Sequence, residues 1–444
     1  MMRFRLSEIA ALTGGQAHGA DVEVRGMSHD SRLIEAGNLF IALPGERSDG
    51  HQFISAARSA GAAAALVTEP VDTDFPQVRV HDVLKAMGLI GAAWRARLDI
   101  TVVGVTGSNG KTTVKEMIAA ILSARAPTLA TGGNYNNEIG LPLTLSRLDE
   151  THRYAVVEMG ASRAGDIRYL AELARPDAGV VTNASAAHLE GFGSLEGVAR
   201  TKGEMFQALP EHGVAAINAD DRFAPLWRDM AAHCRSLGFG LGEHADVRAQ
   251  VINGSAQLET PWGRAALRLN LPGRHNLVNA LAALAITGQL EISLDEAVQA
   301  LAGLKSLPGR LQIHQVGAGW RLIDDTYNAN PASLYAGLQV LADMDGEGWL
   351  VLGDMAELGP DSEKLHAEMG HSAADLGIRR LFTVGNISRA SSSAFGNGAR
   401  HFETHDALYE ALSKALHPGV NCLIKGSRSM AMEQIVQALI GEKF

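Results

Sequence analysis

Ile100–Thr101–Val102–Val103–Gly104–Val105–Thr106–Gly107–Ser108–Asn109–Gly110–Lys111–Thr112–Thr113 changes character twice in a short span. Its first half is apolar and β-branched, which predicts a buried strand. Glycines then break the run. Beyond Thr113, residues Val114, Met117, Ile118 and Ile121 recur on one face of a helix. A strand, a glycine turn and a helix in that order form a phosphate loop: glycines let backbone N–H groups crowd round phosphate oxygens, and the helix N-terminus adds a favourable dipole. Lys111 is then expected at the β- and γ-phosphates and the Thr112 hydroxyl at Mg²⁺. Gly107, Ser108, Asn109, Gly110, Lys111, Thr112 and Thr113 are the nucleotide-binding residues this reading names. A plain strand–turn–helix connection is the alternative, and the Gly–Lys–Thr triplet in this context disfavours it. Val105 stands where the common phosphate-loop pattern has glycine, so the loop is a variant.

Outward from the loop, strands alternate with helices, which implies parallel sheet. Tyr154–Ala155–Val156–Val157 and Gly179–Val180–Val181 read as buried strands. Before the loop, Leu39 to Leu43 and Ala63 to Val67 read as strands, His51 to Ala60 as helical, and Asp82 to Leu98 as a linking helix. Beyond Leu307–Pro308–Gly309–Arg310, a plausible hinge, the rhythm restarts with strands at Arg321–Ile323, Trp349–Leu352, Leu381–Val384 and Asn421–Ile424. The 444 residues exceed one ordinary core. The expectation is an α/β protein of three domains. Residues 1–82 form a small N-terminal unit, 83–310 a central parallel-sheet ATP-binding unit, and 311–444 a Rossmann-like C-terminal unit.

Composition narrows the function. The net charge of −10, with no Lys/Arg run, argues against a nucleic-acid partner. Two distant cysteines, Cys234 and Cys422, suit free thiols in a reducing compartment. No stretch reads as a signal peptide or membrane span, so the expected location is the cytoplasm, with no membrane insertion.

Three polar residues stand out by position. Glu158 ends a strand beside the phosphate loop, a place suited to holding Mg²⁺; a helix cap or surface glutamate is the plainer reading. His188 follows another strand by a short loop, where a metal ligand and a satisfied core histidine are both open. Lys202 falls on the stripe made by Leu195, Val198, Met205, Phe206 and Leu209. Either it buries its stem and reaches water, or it is a desolvated amine of lowered pKa. A neutral amine reacts with CO₂ to give a carbamate, an oxygen ligand for a hard metal.

Together these motifs resemble the Mur ligase family of bacterial cell-wall synthesis. The segment Thr106 to Thr112 is similar to its TGxNGKT signature, including the departure at Val105. Asn134–Tyr135–Asn136–Asn137–Glu138–Ile139–Gly140–Leu141–Pro142 is similar to its substrate-side stretch, and Gly273–Arg274–His275–Asn276–Leu277–Val278–Asn279–Ala280 to its adenine segment. The resemblance implies that Asn276, Asn279, Arg310 and Asp325 contact ATP. It implies that carbamylated Lys202 and His188 hold a second Mg²⁺, with Thr112 and Glu158 on the first. Asn134 and Asn137 would face substrate. Asp30–Ser31–Arg32 and Asp49–Gly50–His51 resemble a UDP-substrate domain, with Ser31 and Arg32 as contacts.

Asp325–Thr326–Tyr327–Asn328–Ala329–Asn330–Pro331, Asp354–Met355–Ala356–Glu357–Leu358–Gly359 and Lys425–Gly426–Ser427–Arg428 are similar to the member that adds D-alanyl-D-alanine to UDP-N-acetylmuramoyl-tripeptide. Asn328, Asp354, Glu357 and Lys425 would then lie at the substrate. The implied chemistry is an acyl phosphate made from ATP and captured by the dipeptide amine. The expected state is a monomer. A folylpolyglutamate synthase would share the loop and the lysine but not the first 80 residues in this form. A switch or motor ATPase would need no amine. A metal hydrolase is disfavoured because His366 and His371 are five apart, wrong for two ligands one helical turn apart.

Overall fold

The computed structural model describes the chain except residues 46–47, 71–73, 186–188, 253–254, 318 and 442–444. At its centre lies a nine-stranded sheet. Seven strands run parallel, in the order Val247–Ile252, Arg235–Gly240, Val214–Asn218, Ala178–Val181, Thr101–Thr106, Tyr154–Glu158, Thr128–Ala130. An antiparallel hairpin, Ser255–Thr260 and Gly263–Leu267, extends one edge. The hairpin was not expected from the sequence.

The two-residue strand period divides the core between the sheet's faces. Val103, Val105, Val156 and Val180 pack on helices Lys111–Ser123 and Arg274–Gln289. Val102, Ala155, Val157 and Val181 face the other way, onto helices Val83–Arg95, Gly140–Ser146, Asp166–Ala174 and Leu195–Gln207. Parallel sheets covered on both faces read as unbroken apolar runs. That is why Thr101–Thr106 shows no alternation.

The N-terminal unit carries a five-stranded sheet in the order Gln16–His18, Gln77–Arg79, Ala64–Val67, Leu39–Ile41, Met27–Ser28. The last four strands are parallel. This unit does not stop cleanly at residue 82. Asp82 caps helix Val83–Arg95 by accepting from Lys85 N, and the helix carries one apolar core from Met2, Phe4 and Leu66 into Leu141 and Val157. Trp94 packs edge-on against Phe4 at 5.9 Å and donates its indole N–H to Leu148 O at 2.9 Å.

The C-terminal unit is a six-stranded sheet: Gln312–Val316, Trp320–Asp325, Val420–Lys425, Glu347–Gly353, Arg380–Val384, Ala399–Phe402. Only the first strand is antiparallel. It was missed in the sequence because Ile313 is exposed and the run is mostly polar. Helices cover both faces. Among the described residues no helix is long and apolar enough to cross a membrane.

Candidate active site

The central sheet's register delivers three features to one edge. Thr106 pairs with Val181, and Glu158 with Val105. The carboxyl ends of three neighbouring strands therefore open together where the chain turns at Gly107, as ligand sites in such sheets do. Gly107 has φ +143° and Gly110 φ +82°, backbone that favours glycine. A Cβ on Gly107 would collide with the Thr182 hydroxyl; one on Gly110 would lie 2.5 Å from Asn279 Oδ1. Gly110 caps helix Lys111–Ser123, so the loop ends at a helix N-terminus as expected.

The loop is clamped by residues the sequence reading did not select. Ser108 N donates to Asn183 O at 2.9 Å, and Asn109 N to Asn183 Oδ1 at 3.0 Å. Thr182 Oγ1 and Asn183 Nδ2 both donate to Asn109 O. Asn109 Nδ2 donates to Ser185 Oγ at 2.8 Å. Their only sequence signal is a polar run directly after a buried strand. Lys111 Nζ donates to Gly107 O at 2.8 Å and Ser108 O at 3.2 Å, so the ammonium lies against its own loop. Burial lowers its pKa; the Glu158 charge opposes that shift and Arg310 adds to it.

Glu158 is 2% exposed. Asn136 Nδ2 donates to its Oε1 at 2.7 Å, and its Oε2 is buried without a partner. A carboxylate oxygen left so is costly unless something binds there. Asn136, rather than Asn134 or Asn137, makes this contact. Asn137 Oδ1 instead accepts from Ile139 N and Gly140 N, holding the turn into helix Gly140–Ser146. Lys202 is 3% exposed, with Nζ 5.4 Å over the Phe192 ring. Burial first, then the charge of Lys111, pulls its pKa down to about 7, against the opposing effects of Asp166 and Glu204. His188 lies outside the described residues. Among those described, no three of His, Cys, Asp and Glu gather as a ready metal cage.

The C-terminal unit forms the opposite wall of a cleft of about 1680 Å³. Arg310 Nη2 donates to Thr112 Oγ1 at 3.4 Å, and its guanidinium stacks 4.0 Å over the Tyr327 ring. Asn330 Nδ2 donates to Asn109 Oδ1 at 2.7 Å. Two contacts, one from the hinge residue Arg310 and one from Asn330 of this unit, thus reach the phosphate loop. Gly107 to Thr112, Asn134, Asn137, Glu158, Lys202, Arg310, Asn328 and Glu357 all line the cleft.

Other expected residues do not reach the cleft wall. Thr113 is the third residue of helix Lys111–Ser123. Asn279 packs under Gly110 and donates to Asn276 Oδ1, which places the pair behind the loop. Asp325 Oδ2 takes the Lys425 ammonium at 2.5 Å, and its Oδ1 accepts from Leu311 N at 3.3 Å. Asp325 and Lys425 are paired across adjacent strands, so Lys425 is consumed inside its own domain. Asp354 is consumed as well: Asn386 N, Ile387 N and Ser388 N all donate to its carboxylate. Both charges, expected at the substrate, already have partners within the scaffold. In the N-terminal unit Ser31 opens a 3₁₀ turn, and exposed Arg32 pairs with Asp30 at 2.6 Å, holding that carboxyl down at a pKa of about 2.

Geometry alone defines a protein of the phosphate-loop class, with the loop's cleft walled by two α/β units. Comparison with known proteins refines this. Residues 23–106 match the Mur ligase family catalytic domain, 105–287 the Mur ligase middle domain, and 309–428 the Mur ligase glutamate ligase domain. The chain belongs to the Mur ligase family. It is 44% identical over 447 residues to the UDP-N-acetylmuramoyl-tripeptide–D-alanyl-D-alanine ligase of Escherichia coli K12, covering 99% of both chains. It is 36% identical to the Bacillus subtilis 168 protein of that name, again over 99% of each. The crystal structure I of MurF from Acinetobacter baumannii superposes with a TM-score of 0.92 at 35% identity over 99% of both chains. MurF ligase from Thermotoga maritima in complex with ADP gives 0.85 at 29% identity over 94% of this chain and 98% of that one.

Proposed function

We propose that the chain joins D-alanyl-D-alanine to UDP-N-acetylmuramoyl-tripeptide, using ATP, in peptidoglycan precursor synthesis. A tripeptide carboxylate oxygen attacks the γ-phosphorus, the bond to the β-phosphate oxygen breaks, and ADP leaves. The dipeptide amine then attacks the acyl carbon. The tetrahedral intermediate expels phosphate, and the amine's proton goes to solvent. The observation that carries this reading is the meeting, at one sheet edge, of the loop, an unpartnered buried carboxylate oxygen on Glu158 and a buried Lys202 amine, facing a second α/β unit. Near-full-length likeness to ligases of that name supports it.

Phosphoryl transfer is mainly positioning and charge stabilisation. Lys111 sits in the loop to meet the phosphates, and Arg310 reaches the same loop from the far wall. Asp325, through Leu311 N, fixes the turn that presents Arg310. Asn276 and Asn279 support the loop from behind. The donor set fits Mg²⁺: Glu158 Oε2 lacks a partner and the Thr112 hydroxyl is close to the loop mouth. Thr112 and Glu158 would hold one ion, and His188 with carbamylated Lys202 a second. Such ions offset the charge of two meeting anions. A pKa near 7 leaves much of Lys202 neutral, as carbamate formation requires.

By this reading, residues 1–82 hold the UDP moiety through Ser31 and Arg32. Residues 83–310 bind ATP, with Asn134 and Asn137 on the tripeptide side. Residues 311–444 receive the dipeptide, with Asn328 and Glu357 on that wall. The enzyme acts in the cytoplasm, where ATP and UDP-linked precursors are made, as a monomer. The test is ADP release with UDP-N-acetylmuramoyl-tripeptide, with and without D-alanyl-D-alanine. Dependence on both substrates is expected; release indifferent to the dipeptide rejects the reading.

A further inference from the structure

Buried polar atoms without partners are rare in folded proteins, and each needs a reason. Among the described residues six side-chain atoms are in that state: Glu158 Oε2, Arg310 Nε, His314 Nε2, His401 Nε2, Asn421 Oδ1 and Glu433 Oε2. Four of the six belong to residues lining the cleft beside the phosphate loop. Glu158 and Arg310 are on the phosphate side and are absorbed by the ATP site. His314 and Glu433 are not; nothing in the ATP chemistry uses them.

These two come from different elements but share a face. His314 lies opposite Leu322 across the antiparallel pair Gln312–Val316 and Trp320–Asp325, so both side chains project to one side of the sheet. Leu322 packs there with Ile435 and Val436 of helix Glu433–Ile440. The helix that starts at Glu433 thus covers the face from which His314 projects. Arg428, also lining the cleft, donates from Nη1 to Glu433 Oε1 at 2.9 Å. Its remaining guanidinium donors have no protein acceptor among the described residues. Val436 and Ile440 add an apolar wall.

This lining is an ion pair with one open acceptor, one open imidazole nitrogen and an apolar floor. Its complement is a small zwitterion with aliphatic side chains. Two extended residues span at most about 7 Å, so such a ligand can lie head-to-tail beside one Arg–Glu pair. We propose that this is where the incoming dipeptide is held: Arg428 and His314 Nε2 take its carboxylate, and Glu433 Oε2 accepts from its ammonium before the amine is deprotonated for attack. The inference rests on the reading of the chain as a D-alanyl-D-alanine-adding ligase. It sets aside Asp354 and Lys425, whose polar atoms are taken up inside the scaffold, for an ion pair that keeps an open acceptor beside an open imidazole nitrogen.

The full-length enzyme is assayed by ADP release at saturating ATP and UDP-N-acetylmuramoyl-tripeptide. D-alanyl-D-alanine is compared with its C-terminal amide, which lacks the carboxylate. The unaltered enzyme is expected to prefer the acid by about 10- to 100-fold in kcat/KM, the range for a charge-assisted contact. Arg428→Gln should raise the KM for the dipeptide by about the same factor and erase the acid-over-amide preference. Glu433→Gln should raise the dipeptide KM, with the KM for ATP within about twofold of the parent. The ligand comparison in the unaltered enzyme needs no variant, so a misfolded Glu433→Gln does not spare the proposal. A parent enzyme that uses amide and acid alike overturns it, as does Arg428→Gln with the preference intact. Parent ADP release that ignores the dipeptide sinks the underlying ligase reading as well; dipeptide dependence with unaltered variants sinks only the pocket.

Discussion

Replacing Lys202 with alanine removes an amine that burial holds near a pKa of about 7, against an ordinary value of 10.5. At pH 7 about half of the buried amine is neutral, whereas an ordinary lysine is neutral roughly once in 3,000. Burial thus raises the CO₂-reactive form by about a thousandfold. If the carbamate supplies a metal ligand, Lys202→Ala should lower kcat by about 10²–10³. Acetate or propionate should restore part of it by returning a carboxylate oxygen. Parent activity limited by carbamate formation should drop about fivefold from pH 7 to 6, as the neutral fraction falls from about one-half to about one-tenth. The sign for stability also follows. The folded pKa lies below the unfolded one, so in CO₂-depleted buffer this group's penalty is complete below pH 7 and fades as pH rises to 10.5. Its full size is about 5 kcal/mol. The parent should therefore gain stability relative to Lys202→Ala across that window. The assays are coupled ADP release with added carboxylates, ¹³C NMR after labelled bicarbonate, and urea melts from pH 6 to 10. Full activity in Lys202→Ala, or an active parent with no labelled carbamate, refutes the reasoning.

Gly110→Ala forces a side chain into φ +82° and against Asn279 Oδ1, so it should destabilise by about 1–2 kcal/mol and weaken ADP binding. Titration with a fluorescent ADP checks this, and an unchanged Kd contradicts the loop geometry. Glu158→Gln keeps a group for Asn136 but removes the charge at the unpartnered oxygen; kcat should fall by about 10²–10³ with little change in Tm. A parent-like kcat removes the metal role. Asp354→Ala orphans three backbone donors and should cost about 2–4 kcal/mol in denaturant melts while the KM for dipeptide moves less than about threefold. The reverse pattern, an intact fold with a large KM change, would return Asp354 to the substrate.

The parts legible in the sequence were those fixed by local pattern. The run from Ile100 to Thr113 gave strand, loop and helix because one apolar strand, one glycine pair and one helical stripe meet there without ambiguity. Five apolar neighbours placed Lys202 on the inner face of its helix, but whether its amine reached water stayed open in the sequence; the fold leaves it 3% exposed. The strand Gln312–Val316 was not, since an edge strand half in water carries little apolar signal. The division at residue 82 was too sharp, because the core passes through helix Val83–Arg95 and a sequence window cannot see Phe4 meeting Trp94. In the site, motif position drew attention to Asp354 and Lys425, but motif position does not show which partners a charge already has. Asn136, Asn183 and Ser185 were missed for the opposite reason: their roles come from chain segments brought together across the sheet, and each alone looks like an ordinary polar loop residue.

The bonds from Arg310 to Thr112 and from Asn330 to Asn109 have a consequence for signalling within the molecule. Both acceptors belong to the loop that, on the proposed reading, would hold the phosphates and their counter-ion. On the proposed reading, a cation bound to the Thr112 hydroxyl oxygen would compete with Arg310 for it and free a guanidinium for the incoming negative charge. The C-terminal lobe would then sense cargo through the exchange of one acceptor for another, with no relay of intermediate side chains.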